Sequence, residues 1–375
     1  MIKLSIPHLA GNEQKYVAQA IESTWIVPLG PWVDEFERRL DSYLGHGNTV
    51  ALSAGTAAIH LGLVMAGVKA GDEVICQDLT FAASCNPIVY LGAKPVLVDS
   101  EPTTWNISPD FLEKAILDRK NVTGRYPKAI VAVHLYGMPA RMDEVLEVAN
   151  RYGIPVVEDA AEALGSEYKG KKCGTLGLYG ALSFNGNKII TTSGGGALIC
   201  PTEEAAKRVK FLSTQARENR PYYYHEVIGY NYRLSNVSAA IGCAQIEELP
   251  ERVARRRRNC SIYSYGFSGV KGITVHLNPS SDFDSNYWLS TISLDPEEIA
   301  INPDELRQRL LEHDIETRLI WRPMHMQPVY ADAPFYGDGT GERIFAQGLC
   351  LPSGSTMTDA DVQTVVEAIR DIIGK

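Results

Sequence analysis

Between residues 49 and 200, short β-branched runs alternate with stretches of helical periodicity, and no other feature of the chain restricts its fold as much. The runs fall at 49–52, 73–76, 95–99, 129–134, 155–158, 181–184 and 197–200. Parallel neighbours in a sheet need crossover connections, usually helices, so this order predicts a mostly parallel sheet with helices on both faces, an α/β fold. The last run follows a short glycine-rich link and is expected to return antiparallel. At 375 residues with 45% hydrophobic content, the chain can bury one large core and a smaller second one. The expected division is a large domain over 1–245, with an N-terminal arm, and a small α+β domain over 246–375. The latter should contain a strand over 288–294 and a helix over 303–311, opened by Pro303 as helix starts prefer. One long helix is expected from Leu234 into the basic run 252–258, whose arginines read as a solvated face.

Lys188 lies in Ser183-Phe184-Asn185-Gly186-Asn187-Lys188, just ahead of the triple glycine 194–196. An amine that follows an apolar strand and is hemmed in by small residues is placed to reach a cofactor carbonyl, and pyridoxal phosphate is the obvious source of one. Its ordinary reading is an exposed charge beside a hairpin. A pyridoxal enzyme also needs an acid for the pyridine nitrogen, a phosphate cup and a face for the ring. Asp159 ends the apolar run Val156-Val157-Glu158-Asp159, where open α/β sheets bind ligands; its ordinary reading is a helix cap. Ser53-Ala54-Gly55-Thr56-Ala57-Ala58 opens a helix after a strand, leaving backbone amides and the Thr56 hydroxyl free for a phosphate. Ser183 is a further phosphate donor. Phe81 is a candidate for the ring face, or simply core.

These segments, with Trp25-Ile26-Val27-Pro28-Leu29-Gly30-Pro31, Asp78-Leu79-Thr80-Phe81, His134-Leu135-Tyr136-Gly137, Gly229-Tyr230-Asn231-Tyr232-Arg233 and Pro323-Met324-His325, closely resemble the DegT/DnrJ/EryC1/StrS sugar aminotransferases, fold-type I pyridoxal phosphate enzymes. The resemblance covers essentially the whole chain. It implies a homodimer with active sites shared between subunits, Lys188 as the internal aldimine, Asp159 on the pyridine nitrogen, and Gly55, Thr56 and Ser183 on the phosphate. Phe81 would stack on the ring, and Asn231 would reach the phosphate from the partner subunit. Glu162 stands where many relatives carry glutamine, near the cofactor's ring hydroxyl. A donor is thereby replaced by an acceptor unless the carboxyl is protonated. The dehydrating branch of the family has histidine in place of Lys188, so the lysine implies transamination.

Within the family, the runs Thr103-Thr104-Trp105-Asn106, Ser213-Thr214-Gln215-Ala216-Arg217 and Trp321-Arg322-Pro323-Met324-His325 resemble aminotransferases of glycan biosynthesis. These move an amino group, by family expectation from L-glutamate, to C4 of a UDP-linked 4-keto-6-deoxy-N-acetylhexosamine, with pyridoxamine phosphate as the intermediate cofactor form. Arg217, His225, Trp321, Arg322 and His325 are the implied lining of the nucleotide-sugar site. Arg and His can pair with a diphosphate and Trp can cover a sugar or base, although His325 between two methionines also reads as a core histidine. Two other readings stay open. One is amination of GDP-linked 4-keto-6-deoxymannose to give perosamine, which Glu162 favours; the other is a non-catalytic pyridoxal-phosphate-binding regulator.

The formal charge of −9 and the lack of aromatic residues interleaved with the basic run argue against nucleic-acid binding. No apolar run approaches the ~20 residues of a membrane span, and no secretion signal opens the chain, so a cytoplasmic location is expected. Seven cysteines without Cys-x-x-Cys spacing read as small buried hydrophobes rather than metal ligands. Neither a dinucleotide-binding nor a P-loop glycine pattern is present.

Overall fold

The computed structural model describes residues 1–375. In chain order the first half comprises α1 (Asn12–Glu22), α2 (Pro31–Leu44), β1 (Thr49–Leu52), α3 (Gly55–Met65), β2 (Glu73–Gln77), α4 (Asn86–Tyr90), β3 (Lys94–Val98) and α5 (Pro109–Thr123). There follow β4 (Ala129–Val133), α6 (Met142–Arg151), β5 (Val156–Asp159), β6 (Glu167–Tyr168), β7 (Lys171–Lys172), β8 (Tyr179–Ser183), β9 (Gly196–Ile199) and α7 (Glu203–Ser213). The second half holds α8 (Asn236–Glu247), α9 (Leu249–Gly266), β10 (Ile273–Val275), β11 (Phe283–Asp284), β12 (Ser290–Leu294) and α10 (Pro303–Glu312). It closes with β13 (Arg318–Leu319), β14 (Phe335–Tyr336), α11 (Thr340–Gln347), β15 (Gly348–Leu351) and α12 (Asp359–Ile373).

The main sheet runs β1-β9-β8-β5-β4-β2-β3-β14. From β8 to β14 every neighbouring pair is parallel, whereas β9 is antiparallel to both β8 and β1. All seven expected runs are strands, and the last is the expected antiparallel return. Ser183 faces Gly196 across the β8–β9 pair, so Lys188 belongs to the connection between these two strands. The apolar helix α3 lies close on the sheet because Gly62 has no side chain; a Cβ there would meet Val157 Cγ1 at 3.2 Å. One core gathers Leu52, Ile59, Leu61, Val157, Ala181 and Leu198 between α3 and the sheet. A second, of Val96, Ile116, Ile130, Val145 and Val156, fills the space under α5 and α6 on the other face.

Beyond residue 246 a four-stranded antiparallel sheet, β10-β12-β15-β13, packs on α9, α10 and α12 around Tyr263, Phe267, Ile292, Leu306, Leu349, Val362 and Val365. Several segments cross the 245/246 division, among them β11, which pairs antiparallel with β6. At the N-terminus, Ile2 donates its N–H to Asp314 and forms a parallel bridge with Ile315. In the other direction β14 joins the main sheet beside β3. There the buried Asp99 carboxylate accepts the amides of Asp338 at 3.1 Å, Gly339 at 2.9 Å, Thr340 at 3.0 Å and Gly341 at 2.8 Å, so it ties the start of α11 to the large sheet.

The long helix expected from Leu234 is two helices, broken at Glu248. Pro250 in the first turn of α9 has no N–H to continue the ladder of α8. Nor are the arginines 252–258 a solvated face. Arg252 and Arg256 are buried, and Arg256 donates to the Trp288 carbonyl and, at 3.0 Å, to Ser5 Oγ. Arg255 and Arg258 share Asp359, and Arg257 pairs with Asp284 at 2.8 Å. A run of like charge is largely paired off because Asp284, Trp288 and Asp359, distant in the chain, close over it, which the local pattern does not reveal. All seven cysteines are free and buried.

Candidate active site

The carboxyl ends of β5 and β8, the start of α3 and two tryptophans from the second half enclose a cavity of about 320 Å³. Gly55, Thr56, Phe81, Asp159, Glu162, Ser183, Lys188 and Trp321 all line it. Eight residues chosen from five separate segments are thereby brought to one space.

The β8–β9 connection is a folded turn, since Lys188 N–H donates to the Asn185 carbonyl at 3.0 Å and Thr192 N–H to that of Phe184 at 3.0 Å. The turn is pinned at the Asn187 carbonyl, which accepts Trp288 Nε1–H at 2.8 Å and the Ser5 hydroxyl at 3.0 Å. Lys188 Nζ donates to Glu162 Oε1 at 3.2 Å and lies 4.1 Å from the centre of the Trp288 ring. A carboxylate and an aromatic face both favour a cation there. Only 12% of the lysine side chain is exposed.

Asp159, the last residue of β5, accepts the Ser84 hydroxyl at 2.6 Å on Oδ2 and Ala161 N–H at 3.1 Å on Oδ1. No helix follows β5, so the capping role considered for Asp159 reduces to this one turn bond. Three residues on, Glu162 Oε2 accepts Tyr136 N–H at 2.7 Å. Burial pushes the Glu162 carboxyl above the usual carboxylate range, against the opposing pull of Lys188 and the Tyr136 amide. Tyr136 is held at φ 55, and its hydroxyl accepts Trp321 N–H at 2.8 Å, so a strained turn links Glu162 to the tryptophan at the cavity wall. Trp321 in turn lies 5.3 Å from Phe81, ring centre to ring centre.

Opposite these groups, α3 begins with no side-chain cap on its N-terminal amides, and the helix start opens into the cavity. Gly55 is required by close approach, because a Cβ would meet Ser183 Cβ at 2.9 Å and narrow the space between helix start and strand end. An amine, a carboxylate, an uncapped helix N-terminus flanked by two hydroxyls, and an aromatic ring suit pyridoxal phosphate in charge and in kind.

Five expected residues lie outside this cavity. Arg217 and Asn231 line a separate open pocket of about 420 Å³ with Ser213, Thr214 and Arg233. Arg217 is exposed and covers the Tyr223 ring at 4.3 Å, and His225 is exposed and bonds the Gln215 carbonyl at 2.9 Å through Nδ1. Arg322 is exposed beside Trp321. His325 is turned away from the site, because its Nδ1 meets Asp78 at 2.7 Å and its Nε2 meets Glu342 at 3.1 Å, leaving no ring nitrogen for a ligand. Conversely, Trp288, Tyr136 and Ser84 were not singled out from the sequence. Trp288 opens a strand-like run and reads as core, and nothing in the order of residues shows it reaching the lysine.

The sheet, its antiparallel return and the lysine–carboxylate cavity define a fold-type I, pyridoxal phosphate-dependent aminotransferase. Over residues 7–370 the chain matches the DegT/DnrJ/EryC1/StrS aminotransferase family and belongs to it. It is 48% identical over 98% of its length, and 95% of the relative's, to EpsN of Bacillus subtilis, a candidate pyridoxal phosphate-dependent aminotransferase. It is 37% identical to the GDP-perosamine synthase of Caulobacter vibrioides, with 99% and 98% of the two chains covered. The crystal structure of a family aminotransferase from Brucella abortus superposes with a TM-score of 0.91 at 27% identity, over 97% of this chain and 96% of that one. No helix is long and apolar enough to cross a membrane.

Proposed function

We propose that the enzyme transfers the amino group of L-glutamate to C4 of a UDP-linked 2-acetamido-2,6-dideoxy-4-hexulose, releasing 2-oxoglutarate and a UDP-4-amino sugar. The observation that carries the transaminase reading is Lys188 Nζ, on a side chain only 12% exposed, 3.2 Å from Glu162 and in one cavity with Asp159, Thr56 and Ser183. Bound there, the cofactor supplies a carbonyl that takes up the donor's amine and a ring that accepts the electron pair left at its α-carbon. Lys188 is the base that removes the α-proton of glutamate and later returns a proton to C4 of the sugar. Asp159 keeps the pyridine nitrogen protonated, and the α3 amides with Thr56 and Ser183 hold the phosphate. Glu162, which accepts a hydrogen bond from Lys188 Nζ, keeps the free amine aimed into the cavity. Phe81 and Trp321 cover the cofactor ring and the sugar.

The nucleotide end extends toward the open side of the cavity, near Arg322. Asn231, Arg217 and His225 serve the neighbouring subunit of a homodimer. In support, their segment is exposed together with large apolar groups, Tyr223 at 78% and Ile228 at 85%. A second substrate, GDP-linked 4-keto-6-deoxymannose, is favoured by the likeness to GDP-perosamine synthases.

The test is the visible spectrum of the holoenzyme with L-glutamate and then with each keto-sugar. A cofactor band that bleaches with glutamate and returns with the UDP-sugar supports the proposal. Return with the GDP-sugar alone replaces the substrate, and a band indifferent to glutamate overturns the transaminase reading.

A further inference from the structure

Ser84 closes the short turn that carries Phe81, its N–H donating to the Phe81 carbonyl at 3.0 Å. Thr80, at the other end of that turn, lies with its Oγ1 2.7 Å from Ser84 Oγ. Both residues are at most 1% exposed, so water does not compete for their hydroxyls. The direction of the two hydrogen bonds follows from counting protons. A serine hydroxyl has one proton, and a carboxylate can only accept. The Ser84 proton is therefore committed to Asp159 Oδ2 at 2.6 Å. Ser84 Oγ has only lone pairs left for Thr80, which must be the donor. The chain runs one way, Thr80 to Ser84 to Asp159, and successive donors polarise one another in a dry interior. With Ala161 N–H on Oδ1, both oxygens of the carboxylate are held from the protein side while the residue still lines the cavity.

We propose that Ser84, backed by Thr80, is a positioning residue that holds the Asp159 carboxylate in the orientation required by the cofactor's pyridine nitrogen. The inference rests on the reading of Asp159 given above. It assigns the turn after β2 two tasks: Phe81 at the face of the ring and, three residues later, the donor behind the acid. Without the Ser84 hydroxyl, Asp159 keeps its place on β5 but loses its charge-assisted partner, and its hold on a protonated ring weakens.

The test compares Ser84→Ala, Thr80→Val, Thr80→Ser and Asp159→Asn with the unaltered enzyme. Three quantities are read: the affinity of the apoenzyme for pyridoxal phosphate, the pH midpoint of the visible band of the holoenzyme, and the melting temperature. Ser84→Ala should weaken cofactor affinity by about tenfold, the scale of one hydrogen bond to a charged group, and displace the pH midpoint. Thr80→Val, which keeps the volume and removes the donor, should move the midpoint the same way by less. Thr80→Ser should restore it. A Ser84→Ala enzyme with unaltered affinity and midpoint overturns the inference, as does one altered in melting temperature alone. If Ser84→Ala does not fold, an unmoved midpoint in Thr80→Val overturns it equally. Should Asp159→Asn itself leave affinity and midpoint untouched, the reading of Asp159 fails. A sensitive Asp159→Asn beside an insensitive Ser84→Ala sinks the relay alone.

Discussion

Glu158 and Asp159 are neighbours on β5, both buried, and they face opposite sides of one sheet. Behind the sheet, Glu158 accepts His134 Nε2–H at 2.8 Å, Gly174 N–H at 2.8 Å, Leu176 N–H at 2.6 Å and the Gly177 amide. The donor sense of His134 is set by Ala140 N–H, which occupies Nδ1 at 3.0 Å and leaves the ring proton on Nε2. Every lone pair on that side is used within the chain. In front of the sheet, Asp159 has two protein donors and then a cavity. Burial of a carboxylate therefore does not mark function by itself; capacity left unfilled toward an open space does. Glu158 pins the 174–177 loop against β5, and Asp159 waits for a partner that the chain does not provide.

The sharpest break of this contrast is on the cavity side. Lys188→Ala should lower turnover by roughly 10⁴-fold or more, since it removes the only amine placed to move the substrate proton. Pyridoxal phosphate should still bind, which absorbance of the dialysed protein would check; steady turnover in this variant would refute the assignment. Next in size is the exchange of roles across the sheet. Glu158→Ala should lower stability by roughly 3 kcal/mol, because three backbone amides and His134 lose their acceptor, yet leave the kcat of the folded fraction near normal. Asp159→Asn should do the reverse, with turnover down about 10²-fold and little change in melting temperature. Denaturation curves and kcat on the same preparations decide, and a Glu158 variant crippled in kcat but not in stability would erase the distinction.

The smallest effect concerns His325, the expected ligand that became a brace. Its hydrogen bond to Asp78, then Glu342, raises its proton affinity against the opposing effect of burial. A histidine raised in the folded state contributes stability that is complete below its unfolded value, about 6.5, and lost as pH rises through the higher folded one. Melting between about pH 6 and about pH 9 should reveal a loss of roughly 1 kcal/mol or less that His325→Asn removes. An equal pH dependence in the variant would mean the brace carries no charge.

What could be read from the residue order was whatever has a local period or a local chemical necessity. The strands at 49–52, 73–76 and 129–134 announced themselves by β-branched runs, and the Asn-Gly-Asn-Lys turn and the Gly55-Thr56 helix start by small residues where backbone must come close. The break at Pro250 was also present in the residue order, but the helical period on both sides obscured it. Other features needed contacts between segments far apart in the chain. Ser84 is 75 residues from the acid it serves, and Trp288 is 101 residues from the Asn187 carbonyl that orients its ring beside Lys188. The five arginines of α9 looked alike in sequence, but Arg252 and Arg256 are buried where Arg258 is not.

The class of fold and the chemical kinds at the site were legible in the residue order, because strand and helix periods, glycine's small size and the chemistry of amine and carboxylate are properties of short segments. Folding in three dimensions chose which carboxylate is saturated by the fold and which is left facing the cavity, and that His325 braces while Trp288 lines the cavity. Those outcomes depend on which distant donors and rings arrive at a given atom, and the packing of the whole chain sets that.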